Sequence, residues 1–254
     1  MFPSLHLSLA LLGLTHEGLR AQLEWVASLG YRAVQINAAA PDARPRDLGR
    51  SARRDLAAII RRLELTASGV DLFVPPAHLT APEHADRAFA AMMAAIDFTA
   101  DLASLTQGSP VLSVELPSDD DARSVVATLT AHADARGVRL ADHAWPATWG
   151  LRDDPGAGPI GVGLDPAAVL LAGASPAKEA AKLGKRLASA RLSDIAAAGR
   201  VEAGQGKLDL MTYSVSVITA GYSGFGIVDL RGIRDQANAA QRIRAALALP
   251  GMAG

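Results

Sequence analysis

Ionisable residues stand where short apolar runs of this chain end: Glu115, Asp142-His143, Asp165, Arg191, Asp229 and Arg231. Carboxylates and an imidazole gathered in one place can move protons as general acid and base. An arginine among them can fork onto a carboxylate, a phosphate or the hydroxyls of a polyol. Charged side chains are rarely left unpaired inside a protein. Either these residues neutralise one another in a closed ion-pair layer, or they hold a ligand or a metal.

For such residues to meet, the elements carrying them must converge. Leu5 to Leu14 alternates Leu with His6, Ser8 and Ala10, a strand pattern. It is apolar enough to resemble a signal-peptide core, but no Lys or Arg precedes it and the alternation favours a strand. Helical and strand periods then alternate. Helices are expected at 17–29, 48–63, 82–105, 121–136, 167–171, 177–184, 209–220 and 235–249. Strands are expected at 31–38, 66–74, 110–116, 138–143, 160–165, 186–192 and 225–230. Ser118 and the acidic run 119–121 read as a helix start, not a metal site. Eight strand–helix units over 254 residues predict an α/β fold. The expected architecture is a single (β/α)8 TIM barrel of about 250 residues, one domain over 1–254. An open doubly wound sheet is the rival, weakened because no GxGxxG follows the first strand.

In that architecture chemistry sits at the C-terminal strand tips. Alternation then puts Gln35 and Asn37 on one face of strand two, Ser113 and Glu115 on one face of strand four, and Arg191 between Ser189 and Ser193. Only one of Asp142 and His143 can point inward. Gly161 and Gly163 leave room beside Asp165, and Asp229 shares a side with Arg231. His6 falls on the inward face of strand one, and His78 lies on the loop after strand three. Trp145 and Trp149 follow strand five, where an aromatic face suits a sugar face or packs a long loop.

Composition narrows the classes of function. Lys and Arg number 25, Asp and Glu 26, which leaves no general excess of cations for nucleic acid. No apolar run was expected to reach the roughly 20 residues of a membrane span. The chain has no Cys, which removes redox and zinc-cluster motifs and fits a reducing cytoplasm. Ala-rich segments 88–100 and 237–248 could pack on the barrel or on a second copy, so a homo-oligomer is possible.

The last third of the chain resembles the xylose-isomerase-like TIM barrels, the sugar phosphate isomerase/epimerase superfamily. The resemblance is carried by GVRLADHA (137–144), GVGLDP (161–166), Arg191-Leu192-Ser193-Asp194, Gly204-Gln205-Gly206, Asp209, Gly221-Tyr222-Ser223-Gly224 and Asp229, in that order. It covers 137–232 well and the earlier half through its strand–helix rhythm. It implies a sugar or sugar-phosphate isomerase or epimerase that transfers a proton next to a carbonyl, with a small sugar-derived substrate. A non-catalytic polyol binder or protein-interaction member of the fold is the alternative, and endonuclease-like hydrolysis is a weaker third.

The resemblance also implies a divalent metal, Mn, Mg or Zn, on Glu, Asp, His and Glu at the tips of strands five to eight. Here those positions hold His143 (Asp142 if the strand slips by one), Asp165, Arg191 and Asp229. A guanidinium has no lone pair to give. At about 4 Å from a dication it costs about 8 kcal/mol at an effective dielectric near 20. Arg191 is therefore expected to weaken or exclude the metal and to stand in its place, clamped by Asp165 and Asp229. Asp229, His143 and Glu115 are then the expected proton-handling groups, and Arg191, Arg231, Asn37 and Trp145 the expected substrate contacts. Asp165, Asp229 and His143 are the ligand set if any metal binds.

Overall fold

The computed structural model describes residues 5–151 and 158–248. Eight parallel strands close into a barrel: β1 (Leu7–Ala10), β2 (Ala33–Asn37), β3 (Thr66–Asp71), β4 (Val111–Val114), β5 (Arg139–Asp142), β6 (Ile160–Leu164), β7 (Leu187–Leu192) and, pairing β7 back to β1, β10 (Gly226–Val228). Two short strands between β7 and β10, β8 (Asp194–Ala196) and β9 (Gly199–Val201), form an antiparallel hairpin in a stretch for which no strand was expected.

Helices follow the strands: α1 (Leu19–Ser28), α2 (Arg50–Arg62), α3 (Ala85–Thr106), α4 (Arg123–Ala135), α5 (Pro166–Leu171), α6 (Pro176–Leu183), α7 (Leu210–Thr219) and α8 (Gln236–Leu247). Their starts are fixed by side chains that satisfy orphan amides. Asp165, Ser175, Asp209 and Asp235 each accept from a backbone N–H of the first turn, and Pro follows the cap in α5 and α6. Asp119 caps the turn that leads into α4.

The outer faces of the strands bury Leu9, Ile36, Val70, Leu112, Val114, Leu140, Leu164 and Leu192 against Leu23, Ile60, Ile96, Phe98, Leu129, Val217 and Ile243 of the helices. α3 corrects the expectation about apolar runs. It is 22 residues long and contains an 18-residue stretch with a mean hydropathy of 1.4, long and apolar enough to cross a membrane by length and composition. In the fold, Met92, Ala95, Ile96, Phe98, Thr99 and Leu102 of this helix are buried. Core helices of globular proteins pass the same test.

The lumen is polar. Ser8 meets Ser68 across it at 2.6 Å, so β1 does present its small and polar side inward, while His6 is exposed at the start of that strand and not an inward group. One irregularity decides the site. The β2–β3 pairing shifts register between Val34/Ala67 and Gln35/Gly69. Gly69, at φ 144°, absorbs the bulge, and a Cβ there would lie 2.7 Å from the Val111 carbonyl oxygen. The extra residue turns Asp71 into the lumen, level with Asn37 and Ser113.

Candidate active site at the barrel mouth

Arg191 is fully buried at the C-terminal end of β7 and, among the described residues, is the largest side chain so enclosed. Its Nη2 donates to Asp71 Oδ1 at 2.5 Å and its Nη1 to Asp229 Oδ2 at 3.2 Å. The expected partner Asp165 is not among these. Asp71 takes its place, because the β3 bulge delivers a carboxylate that regular alternation would turn away. The Arg191 guanidinium also lies 5.4 Å from the centre of the Phe73 ring.

Two more arginines roof this pair. Arg231 donates to both oxygens of Asp229 and to Asp165 Oδ2 at 3.1 Å. Arg200, carried by the β8–β9 hairpin, reaches Asp165 Oδ2 at 2.8 Å and Asp229 Oδ2 at 3.4 Å. Ser193 Oγ donates to Asp165 Oδ1, which also accepts from Ala167 N at 3.1 Å. The hairpin is itself pinned by Asp194, whose carboxylate collects the backbone N–H groups of Ile195, Gly204, Gly206, Lys207 and Leu208. Asp194 is thus a loop anchor, and it explains why Gly204 and Gly206 stand where they do.

His143, not Asp142, faces the lumen. Asp142 pairs in register with Val114 and Val162, and its Oδ1 accepts from the Leu116 and Ala144 amides at 3.1 Å each. The His143 ring fills the space over Gly163, where a Cβ would overlap the imidazole. Its Nε2 lies 3.3 Å from Ser113 Oγ, and Ser113 Oγ accepts from Gln35 Nε2 at 2.9 Å. Phe73 meets the imidazole edge-on at 5.8 Å.

The environment separates these groups. Burial pushes Asp71 up to about 6, outweighing the charge of Arg191. Burial also raises Glu115, against the pull of Arg231. For Asp229 burial is overcome by Arg191 and Arg231, which hold the carboxyl below its usual range. Arg200, Ser193 and Arg191 likewise overcome burial and hold Asp165 low. His143 is kept neutral, first by burial and then by Arg191.

Glu115 is half-buried at the rim, within the field of Arg231 and Asp165. Asn37 is also at the rim, but its Oδ1 accepts from Ala39 N at 3.0 Å and closes a local turn. Trp145 packs against the hydrophobic cluster, and Trp149 donates from Nε1 to the Pro117 carbonyl at 2.6 Å. His78 lies against His84, 4.2 Å between ring centres and tilted by 42°. Asp71, Arg200 and Phe73 complete the constellation without having been singled out, joined by Gln35 and Ser113, which alternation had placed on inward faces. The signal for Asp71 was Gly69 within a strand, a mark of a bulge.

Eight parallel strands closed into a ring, with helices between them, form a (β/α)8 barrel, the fold shared with xylose isomerase-like TIM-barrel structures. No family model matches the chain, and no curated protein matches it in sequence. Solved structures do. A xylose isomerase domain protein from Planctomyces limnophilus superposes with a TM-score of 0.74 at 18% identity, over 96% of this chain and 97% of that one. D-psicose 3-epimerase, solved in the presence of D-fructose, superposes at 0.73 and 14% identity, over 94% and 96%. A xylose isomerase-like TIM barrel protein from Mycobacterium smegmatis, in complex with magnesium, superposes at 0.67 and 15% identity, over 96% and 95%.

Proposed function

We propose that this chain is a sugar isomerase- or epimerase-like protein whose mouth takes a small, oxygen-rich sugar derivative through guanidinium groups instead of a metal ion. The observation that carries this reading is Arg191, fully buried at the tip of β7 between Asp71 and Asp229. A dication fits these residues badly. Asp165 Oδ2 and both oxygens of Asp229 already accept from arginines, and Arg191 offers donors only. Among the described residues no group of three His, Asp or Glu side chains is arranged to hold a metal. No step is therefore routed through one.

In this reading Arg191 and Arg231 supply fixed positive charge where negative charge develops on a carbonyl oxygen. Glu115 carries the proton, since its carboxyl is raised toward the range in which a base both takes and returns one. His143 stands nearby as a neutral partner. Asp229, expected to handle protons, suits an anchor better, because the guanidiniums that hold it make it a weak base. The D-psicose 3-epimerase likeness supports a sugar-sized substrate.

The non-catalytic alternative is favoured by one observation: Asp71, Asp165 and Asp229 balance Arg191, Arg200 and Arg231 within the mouth. Ketoses and sugar acids should raise the melting temperature of the wild type and not of Arg191→Lys, which keeps the charge but loses the fork. In deuterium oxide, a bound ketose should exchange the hydrogen next to its carbonyl, read by NMR. Binding without exchange selects the non-catalytic reading. Stabilisation by Mn that EDTA reverses and Asp165→Asn abolishes would overturn the metal-free site.

A further inference from the structure

We infer that Gln35 and Ser113 are positioning residues that hold His143 as its Nδ1–H tautomer, making the imidazole a neutral hydrogen-bond donor toward the ligand's carbonyl oxygen. The donor role rests on the function proposed above; the tautomer does not.

The argument follows hydrogens through a closed relay. Gln35 Nε2 has only hydrogens to give, and it gives one to Ser113 Oγ at 2.9 Å. Among the described residues the hydroxyl's single proton has no acceptor other than His143 Nε2, at 3.3 Å, so it is satisfied only by donating there. Nε2 must then be the bare nitrogen, and Nδ1 carries the hydrogen. Gln35, Ser113 and His143 are all buried in the lumen, so bulk water does not compete for these positions. The ring has little freedom to turn. Gly163 lies against its Nε2–Cδ2 edge, and the Phe73 ring meets it at 73°.

Nδ1 is buried and meets no protein acceptor. It belongs to the same enclosed lumen as Arg191 Nε and Ser189 Oγ, which are equally without partners. Gln35 Oε1 and Asp71 Oδ2 are buried without partners in the same lumen, so it has both donors and acceptors to offer, and on the function proposed above the group that meets Nδ1–H is the ligand's carbonyl oxygen. The imidazole gives a hydrogen bond and keeps its proton throughout. Proton abstraction then belongs to Glu115 rather than His143.

Protein labelled with 15N-histidine reports the tautomer directly through two-bond couplings between the ring nitrogens and the carbon-bound ring hydrogens, with His143→Gln to assign the signal. The expected spectrum has a bare Nε2 and a protonated Nδ1. Ser113→Thr, which keeps the hydroxyl, should retain it. Ser113→Ala should move His143 toward the Nε2–H form that free imidazole side chains prefer. An Nε2–H ring in the wild type, or a tautomer indifferent to Ser113→Ala, overturns the relay. A correct tautomer in a protein that binds no ketose overturns the function proposed above and leaves the relay standing.

Discussion

On the β7–β10 side of the mouth every carboxylate is gripped. Asp229 is held by Arg191, Arg200 and Arg231, and Asp165 by Arg200, Arg231 and Ser193. On the β4–β5 side the polar groups are sparsely partnered. Glu115 sits at the rim with a raised carboxyl, and His143 keeps Nδ1 without a partner. The two sides stand only a few strands apart in one lumen, and burial pushes every carboxyl in it toward the neutral form. Where two or more guanidiniums converge, on Asp165 and Asp229, their charge overcomes burial and locks the carboxylates ionised. Where fewer reach, at Glu115 and at Asp71, burial prevails and leaves groups able to exchange protons. A locked side positions a ligand, and an unlocked side reacts with it.

The strongest way to break this contrast is to remove the cation that organises the locked side. Arg191→Leu leaves Asp71 and Asp229 facing a buried apolar side chain. Stripping one partner from a buried ion pair costs about 3–5 kcal/mol. Urea unfolding should show that loss. Arg191→Leu combined with Asp71→Leu should recover more than half of it, because Asp229 retains Arg231 and Arg200. If the single variant unfolds like the wild type, Arg191 does not carry the locked side.

A pH titration sharpens the contrast from its boundary residue, Asp71. Its carboxyl is raised from 3.8 to about 6 in the fold. Between those values the folded chain holds a proton that the unfolded chain has released. Stability from this group is therefore fully present below about 3.8 and is lost as the pH rises to about 6. A shift of that size corresponds to roughly 3 kcal/mol at most. Asp142, raised to about 6 by burial, titrates in the same window and must be left in place. Asp71→Asn should flatten the wild-type slope between about pH 4 and 6, measured by unfolding at fixed salt. An unchanged slope would return Asp71 to the locked group.

How much of this contrast could be read from residues alone depends on how each residue gets its direction. Asp165, Arg191 and Asp229 were legible because alternation over the last residues of β6, β7 and β10 carries them to the mouth, the register shift between β6 and β7 falling earlier, at Val162/Gly163. The choice between Asp142 and His143 was not, since a one-residue slip reverses it. The neighbouring strands settle it through the pairs with Val114 and Val162. Asp71 escaped because a bulge at Gly69 changes its face, and a bulge depends on the close approach of the Val111 carbonyl in another strand. Arg200 escaped because its hairpin is too short for a periodic signal. The hairpin is ordered by Asp194, acting on amides up to fourteen residues away in the chain. The barrel itself was legible because outer-face burial and helix caps are local properties.

Arg200→Ala should have the smallest effect, and it tests whether the roof belongs to stability or to binding. The Arg200 side chain is 29% exposed, so its ion pairs are weakened by solvent and contribute about 1 kcal/mol or less. Asp165 would keep Arg231, Ser193 and the Ala167 amide, and Asp229 would keep Arg191 and Arg231. Thermal unfolding should therefore shift by no more than a few degrees. Affinity for a sugar acid should fall several-fold, because a ligand entering from solvent meets this guanidinium before it reaches Arg191. A melting temperature that collapses with affinity unchanged would place Arg200 with the structural ion pairs, and the roof would then be part of the barrel and not of its mouth.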